Sequence, residues 1–220
     1  MSMFWTIIIA VTIILSAGTG FFIGGYWRKR QKVSRTQIPS VLTEWDLECM
    51  AYHEAGHAVC SIFLPETEPI IRITIDPDDD AFGYVVNSPR KHHNATEVYF
   101  KSKITTYLAG KMAEQIFLGI TTTSCIHDLR AASEIAELMV GKYGMGQRIG
   151  NLSLDDVPIS LQNAFYADVK EIISDSTNQA KEILTQHRDL MIQLSNLLLR
   201  KRTLDEITIK NFLYRMQEIE

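Results

Sequence analysis

The sequence predicts a mainly α-helical domain with a small β-hairpin or edge strand, preceded by one transmembrane helix. Three observations carry this. Residues 1–27 contain no charged residue and are largely apolar. From about residue 44 onward most apolar positions recur at helical spacing. The exception is the β-branched alternation of "PIIRITIDP" followed by "AFGYVVN". The chain has 220 residues, 46% of them hydrophobic and 22% charged, enough for one packed domain and an appendage.

The first element is "MFWTIIIAVTIILSAGTGFFIGGYW", Met3 to Trp27. About 20 apolar residues cross a bilayer core, so this run spans one with some tilt. Trp5 at one end and Tyr26-Trp27 at the other suit the two interfaces. A cleaved signal peptide carries positive charge before its apolar run. Here Arg28-Lys29-Arg30 follows the run instead. The reading is therefore an uncleaved single-pass anchor at 1–27, with residues 28–220 on the cytoplasmic side of the lipid bilayer. Gly20 and Gly24 form a GxxxG, which simple glycine frequency in membrane helices explains.

Residues 28–43 read as a basic juxtamembrane linker. Beyond its five basic residues, 17 Lys and Arg face 26 Asp and Glu, a balance near −9. So acidic a body lacks the basic face that nucleic acid requires, and no nucleic-acid partner is expected. Cys49, Cys60 and Cys125 are odd in number and fit no disulfide framework, which suits a reducing compartment.

The body, 44–220, opens with a helix from about Glu44 to Phe63. Residues 69–77 and 81–87 form the hairpin-like pair, with Asp78-Asp79-Asp80 in a solvated turn. Asn94-x-x-Glu97 resembles a capping box for a helix through about Leu118, ended by Gly119. "ITTTSCI" reads as a loop, and a helix follows from about His127 to Lys142 with Leu129, Ala132, Ile135, Ala136 and Met139 on one face. Gly144, Gly146 and Gly150 mark an irregular stretch. Past Pro158 the pattern stays helical, with the 169–200 Leu and Ile repeat as helical-hairpin core and Thr203-x-x-Glu206 as a further cap.

The first body helix carries the chemistry. In "AYHEAGHAVC" His53 and His57 stand four apart, so both imidazoles face one side, one turn apart. Together they can hold one ion, while Glu54 reaches a water rather than the metal. This is the HExxH arrangement of zinc hydrolases, in which the ion activates water and the glutamate relays its proton to the leaving amine. The small residues Ala55, Gly56 and Ala58 leave room beside the site. A catalytic zinc takes three protein ligands and keeps one open position. The candidates for the third are Asp128, His127, Cys125 or a glutamate on a later helix. Cys49 and Cys60 read as small core residues, and His92-His93 as part of an exposed loop.

"AYHEAGHAV", "ITIDP…AFGYVV", "YLAGKMAEQIFLG", "TTTSCIHDLRAASEIAELMVGKYGM" and "AKEILTQHRDLMIQLSNLLLRKRTLDE" follow one another in order. This run of blocks resembles the peptidase domain of the FtsH family of membrane-bound, ATP-dependent zinc proteases, over about residues 44–215. The resemblance implies a helical zincin-like domain with zinc held by His53, His57 and Asp128, and Glu54 as catalytic base. It also implies polypeptide substrates, bound along the strand near 82–87 by main-chain pairing, and a hexameric ring. Two departures stand beside the ligand. Where the family has Thr-Thr-Gly-x-x-Asn-Asp, this chain has Thr122-Thr123-Ser124-Cys125-Ile126-His127-Asp128. Ser124 replaces a glycine, which allows a different loop shape. His127 replaces an asparagine, where it could compete for metal or alter the groups around it.

The sequence contains no GxxxxGK[ST], and 28–43 alone separates the apolar run from the first body helix, so no ATPase is expected in this chain. Folded domains are stable by about 5–15 kcal/mol, which shields them from a protease without a motor. The expectation is a membrane-anchored zinc endopeptidase that cuts unfolded or loosely folded proteins, alone or in a mixed ring with an AAA protease. The alternative is a non-cleaving, peptidase-like partner of such a ring.

Overall fold

The computed structural model describes residues 42–77, 83–90 and 94–217. The expected anchor at 1–27, nearly all of the linker, Asp78-Asp79-Asp80 and His92-His93 lie outside the described residues. No helix among the described residues is long and apolar enough to cross a membrane.

Helix α1, Glu44–Phe63, starts at a reciprocal cap: Thr43 Oγ1 accepts from the Asp46 N–H, and Asp46 Oδ2 accepts from the Thr43 N–H. Glu44 and Asp46 also place negative charge at the positive end of the helix dipole. From Cys49 to Ser61 the helix is buried almost all round. Its small residues permit this. A Cβ at Gly56 would lie 2.7 Å from both Ala109 O and Ala113 Cβ, so only glycine lets the next long helix pack so closely.

Strands β1, Ile70–Thr74, and β2, Tyr84–Asn87, pair antiparallel as expected, with Ile73 opposite Val85. A third strand, β3, Thr203–Asp205, was not foreseen. The sheet order is β2-β1-β3, which leaves β2 at an edge. Leu204 faces Ile73 across β1, and both are fully buried. Burying one such side chain is worth about 1.5–3 kcal/mol, more than a single ladder hydrogen bond contributes net, so Leu204 holds this short strand in place.

Helix α2, Glu97–Ala113, is capped by Thr96, not Asn94. Thr96 Oγ1 accepts from the Tyr99 N–H and donates to Glu66 Oε2. The helix widens into a π turn, Glu114–Leu118, and ends at Gly119 with φ 69°. A short 3-10 turn, Thr123–Cys125, then leads into α3, Ile126–Gly141. Helices α4, Gln162–Gln186, and α5, Arg188–Lys201, follow one another across a break at His187 but do not pack on each other as the expected hairpin: α4 lies mainly on α2, and α5 on α1. Arg202, at φ 63°, breaks α5 and turns the chain back onto β1. Asp205, not Thr203, caps α6, Glu206–Gln217, by accepting from the Thr208 N–H at 2.8 Å. Thr203 Oγ1 instead meets Thr74 Oγ1 at 2.7 Å across the sheet.

Two apolar cores result. The first joins α1, the sheet, α5, α6 and the C-terminal part of α4. The second joins α3, the N-terminal part of α4 and the loop residue Ile149. Helix α2 serves both, giving Ala109, Met112 and Ala113 to the first and Ile104 and Leu108 to the second.

Candidate metal centre

The site lies where the two cores meet. His53 and His57 come from α1, and their rings stand edge to face with centroids 4.7 Å apart. Asp128 comes from the first turn of α3. One donor atom from each of the three residues falls within 4.8 Å of the others. Asp128 Oδ2 lies 3.1 Å from His53 Nε2 and 3.4 Å from His57 Nε2.

The opposite ring nitrogens are already engaged. His57 Nδ1 meets the carbonyl of Thr106 at 2.7 Å, and His53 Nδ1 meets Glu114 Oε1 at 2.7 Å. A carbonyl and a carboxylate only accept, so both Nδ1 atoms carry a proton, which leaves the two Nε2 atoms, both facing Asp128, as the ligating positions. Burial opposes charge on His53, but hydrogen bonds to Asp128 and Glu114 outweigh it and push its pKa up to about 10. Burial likewise opposes ionisation of Asp128, yet the two imidazoles hold its carboxyl well below the usual range.

The donor set fits a tetrahedral zinc. Bonds of about 2.0–2.1 Å place two tetrahedral ligands about 3.3 Å apart, close to the two separations above. The space is kept open as well. A Cβ at Gly110 would lie 2.6 Å from the Nε2 atoms of both His53 and His57, so any larger residue of α2 would fill the region the ligands surround. Two imidazoles and a carboxylate are an ordinary donor set for zinc.

Glu54 is 6% exposed beside the two histidines. Burial raises its pKa, and the neighbouring imidazoles pull it back. The start of β2 lies over it: a Cβ at Gly83 would come within 3.0 Å of Glu54 Oε1. The chain entering the edge strand therefore packs against the glutamate.

The other candidates for a third ligand do not join the group. His127 is exposed, and the buried Cys125 thiol donates to the Thr122 carbonyl at 3.4 Å. Cys49 and Cys60 are core residues, and burial pushes the Cys60 thiol up to about 12. Sequence reasoning missed Glu114. It is fully buried, accepts from His53 Nδ1, the Thr122 N–H at 2.6 Å and the Thr122 and Ser124 hydroxyls, and its pKa is lowered: burial opposes this, but the hydrogen bonds prevail. Its one signal is a lone acid in the apolar segment "AEQIFLG".

Comparison with known proteins identifies the family. The model of peptidase family M41 matches residues 40–212. Curated relatives named ATP-dependent zinc metalloprotease FtsH include one from Thermobaculum terrenum, 32% identical over 77% of this chain and 29% of the relative. Another, from Rickettsia typhi, is 35% identical over 78% of this chain and 30% of the relative. The Bacillus subtilis protein is 31% identical over 79% of this chain and 30% of its own length. The chain thus spans about 30% of the length of these relatives. Matched along nearly the whole of its helical body, the chain belongs to peptidase family M41 and carries an FtsH-type peptidase domain.

Proposed function

We propose that this protein is a zinc-dependent endopeptidase, with His53, His57 and Asp128 as metal ligands and Glu54 as catalytic base. The observation that carries the reading is the convergence of two Nε2 atoms on Asp128 Oδ2 while both Nδ1 atoms are held elsewhere. When bound, zinc supplies a Lewis acid that lowers the pKa of water toward about 7 and polarises the scissile carbonyl. Glu54 takes the proton of the attacking water and passes it to the leaving amine. Gly110 keeps the ligand space clear, and the Thr106 carbonyl and Glu114 fix the imidazole tautomers.

The substrate is an extended segment of an unfolded or loosely folded polypeptide. The position of β2 at the sheet edge beside Glu54 supports this, since an added strand pairs through main-chain atoms and tolerates many sequences. Residues 1–27 are proposed as a single-pass anchor and 28–43 as its basic linker, with 44–220 as the peptidase domain on the cytoplasmic side. The uncharged run followed by Arg28-Lys29-Arg30 supports that topology. A ring of six copies follows from the resemblance to the family, and a mixed ring with a relative that has its own ATPase would add unfolding of folded substrates.

The test compares the full chain with Glu54→Gln, both in mild detergent. Zinc content and cleavage of casein, an unfolded protein, are measured without ATP. One zinc per chain in both proteins, with cleavage by the wild type alone, is the expected result. Equal cleavage by both would remove Glu54 from the chemistry.

A further inference from the structure

The two cores supply different ligands, so something must hold Asp128 in register with His53 before a metal arrives. Besides the direct contacts of Asp128 with the two imidazoles, the structure offers a second polar connection. Glu114 Oε1 accepts from His53 Nδ1 at 2.7 Å and from Ser124 Oγ at 2.8 Å. Ser124 Oγ also lies 2.6 Å from Thr122 Oγ1, which itself reaches Glu114 Oε1 at 3.0 Å. The Thr122 N–H donates to Glu114 Oε2 at 2.6 Å. Ser124 sits in the middle of the 3-10 turn Thr123–Cys125, and α3 with Asp128 begins at the next residue, Ile126. The path from one ligand to the other is thus His53, Glu114, Ser124, turn, Asp128.

We infer that Ser124 is a positioning residue: its hydroxyl ties the Glu114 carboxylate to the turn that carries Asp128, locking ligands from the two cores into one hydrogen-bonded unit. The family pattern has glycine at this place, which offers no hydroxyl. A glycine turn would leave Thr122 as the only tie and would be freer in its backbone. Ser124 therefore makes this metal site more rigid than a glycine at the same position would. A site held in its ligating geometry releases its ion more slowly, and losing a group that supports the ligands typically weakens metal binding 10–100-fold. Because Thr122 would remain on Glu114, the lower end of that range applies to Ser124.

The inference rests on the zinc site proposed above, and its test separates the two. The full chain, zinc-loaded, is mixed with excess chelating dye, and the release rate is compared among wild type, Ser124→Ala, Ser124→Thr and His57→Ala. The metal-free melting temperature of each is recorded alongside. Ser124→Ala should release zinc about tenfold faster. Ser124→Thr, which restores a hydroxyl, should return close to the wild-type rate. The metal-free melting temperature should fall only slightly in Ser124→Ala, because the Thr122 N–H and hydroxyl stay on Glu114, and should return in Ser124→Thr. If wild type holds zinc, His57→Ala loses it, and Ser124→Ala releases it at the wild-type rate, the Ser124 inference fails alone. It fails likewise if release is faster but threonine does not slow it. A wild-type chain that holds no zinc sinks both readings.

Discussion

Glu114 and Asp168 are the same kind of group in the same kind of place, and they do different work. Each is a carboxylate at most 2% exposed, and each is held by several donors. Asp168, on α4, accepts from the backbone N–H groups of Arg148 and Ile149 at 2.8 and 2.9 Å and from Arg148 Nη1 at 2.8 Å. Its donors come mainly from a loop, so it fixes the irregular stretch after α3. Glu114 takes donors from an imidazole and two hydroxyls, and the imidazole has a second nitrogen aimed at Asp128. Burial and hydrogen bonding alone do not make a functional site. What distinguishes Glu114 is that one of its donors, His53, carries a second nitrogen grouped with His57 and Asp128.

Four changes sharpen or break that contrast. The largest effect is expected from Gly110→Ala, whose new Cβ would meet both Nε2 atoms at 2.6 Å. It should abolish zinc binding, read as metal per chain, while far-ultraviolet circular dichroism stays helical. Glu114→Gln comes next. An amide cannot accept on both arms, so one of the His53 and Thr122 donors loses its partner. Zinc affinity in a competition titration should fall about 10–100-fold.

Asp168→Ala is the control with the opposite signature. It leaves two backbone N–H groups without an acceptor. Denaturant unfolding should show a loss of about 2–4 kcal/mol, while zinc affinity stays at the wild-type value. A parallel loss of zinc affinity would mean that the two carboxylates are not functionally separate.

The smallest effect concerns acid. Burial alone would raise the Asp168 pKa, but the Ile149 and Arg148 donors outweigh it and leave it lowered. A lowered folded-state pKa contributes stability that is complete above the unfolded value, near 4, and is lost as pH falls through the folded value. The charges facing Asp168 are Arg148 and, beyond it, Glu171, which shares the same guanidinium. Asp168→Asn should therefore flatten the fall in stability of the metal-free protein below about pH 4, as read by urea midpoints across pH.

Much of this was legible in the sequence, for identifiable reasons. The α1 boundaries follow from Thr43, Asp46 and the apolar run, which are local signals. The β1–β2 pair follows from β-branched alternation. The two histidines are placed together by helix geometry alone. Asp128 could be placed beside them only through the resemblance, because His127 and Cys125 were equally available to composition. In the structure both residues lie in the first turn of α3, which begins at Ile126; Asp128 faces the two histidines, while His127 is exposed.

The remaining features depend on contacts far apart in the chain. Asn94 and Thr96 are both good cap residues, and Glu66, thirty residues earlier, favours Thr96. Strand β3 has three residues, too few for a period, and exists because Leu204 meets Ile73. Glu114 was illegible because its partners, His53 and Ser124, lie 61 residues before it and 10 after it.

A metal held between the two cores requires Asp128 of α3 to face the α1 histidines. The most direct measurement is zinc per chain in the full-length Asp128→Ala and His127→Ala variants, prepared side by side with wild type. Wild type and His127→Ala should each retain one zinc, and Asp128→Ala should retain none. Zinc kept by Asp128→Ala and lost by His127→Ala would contradict the account.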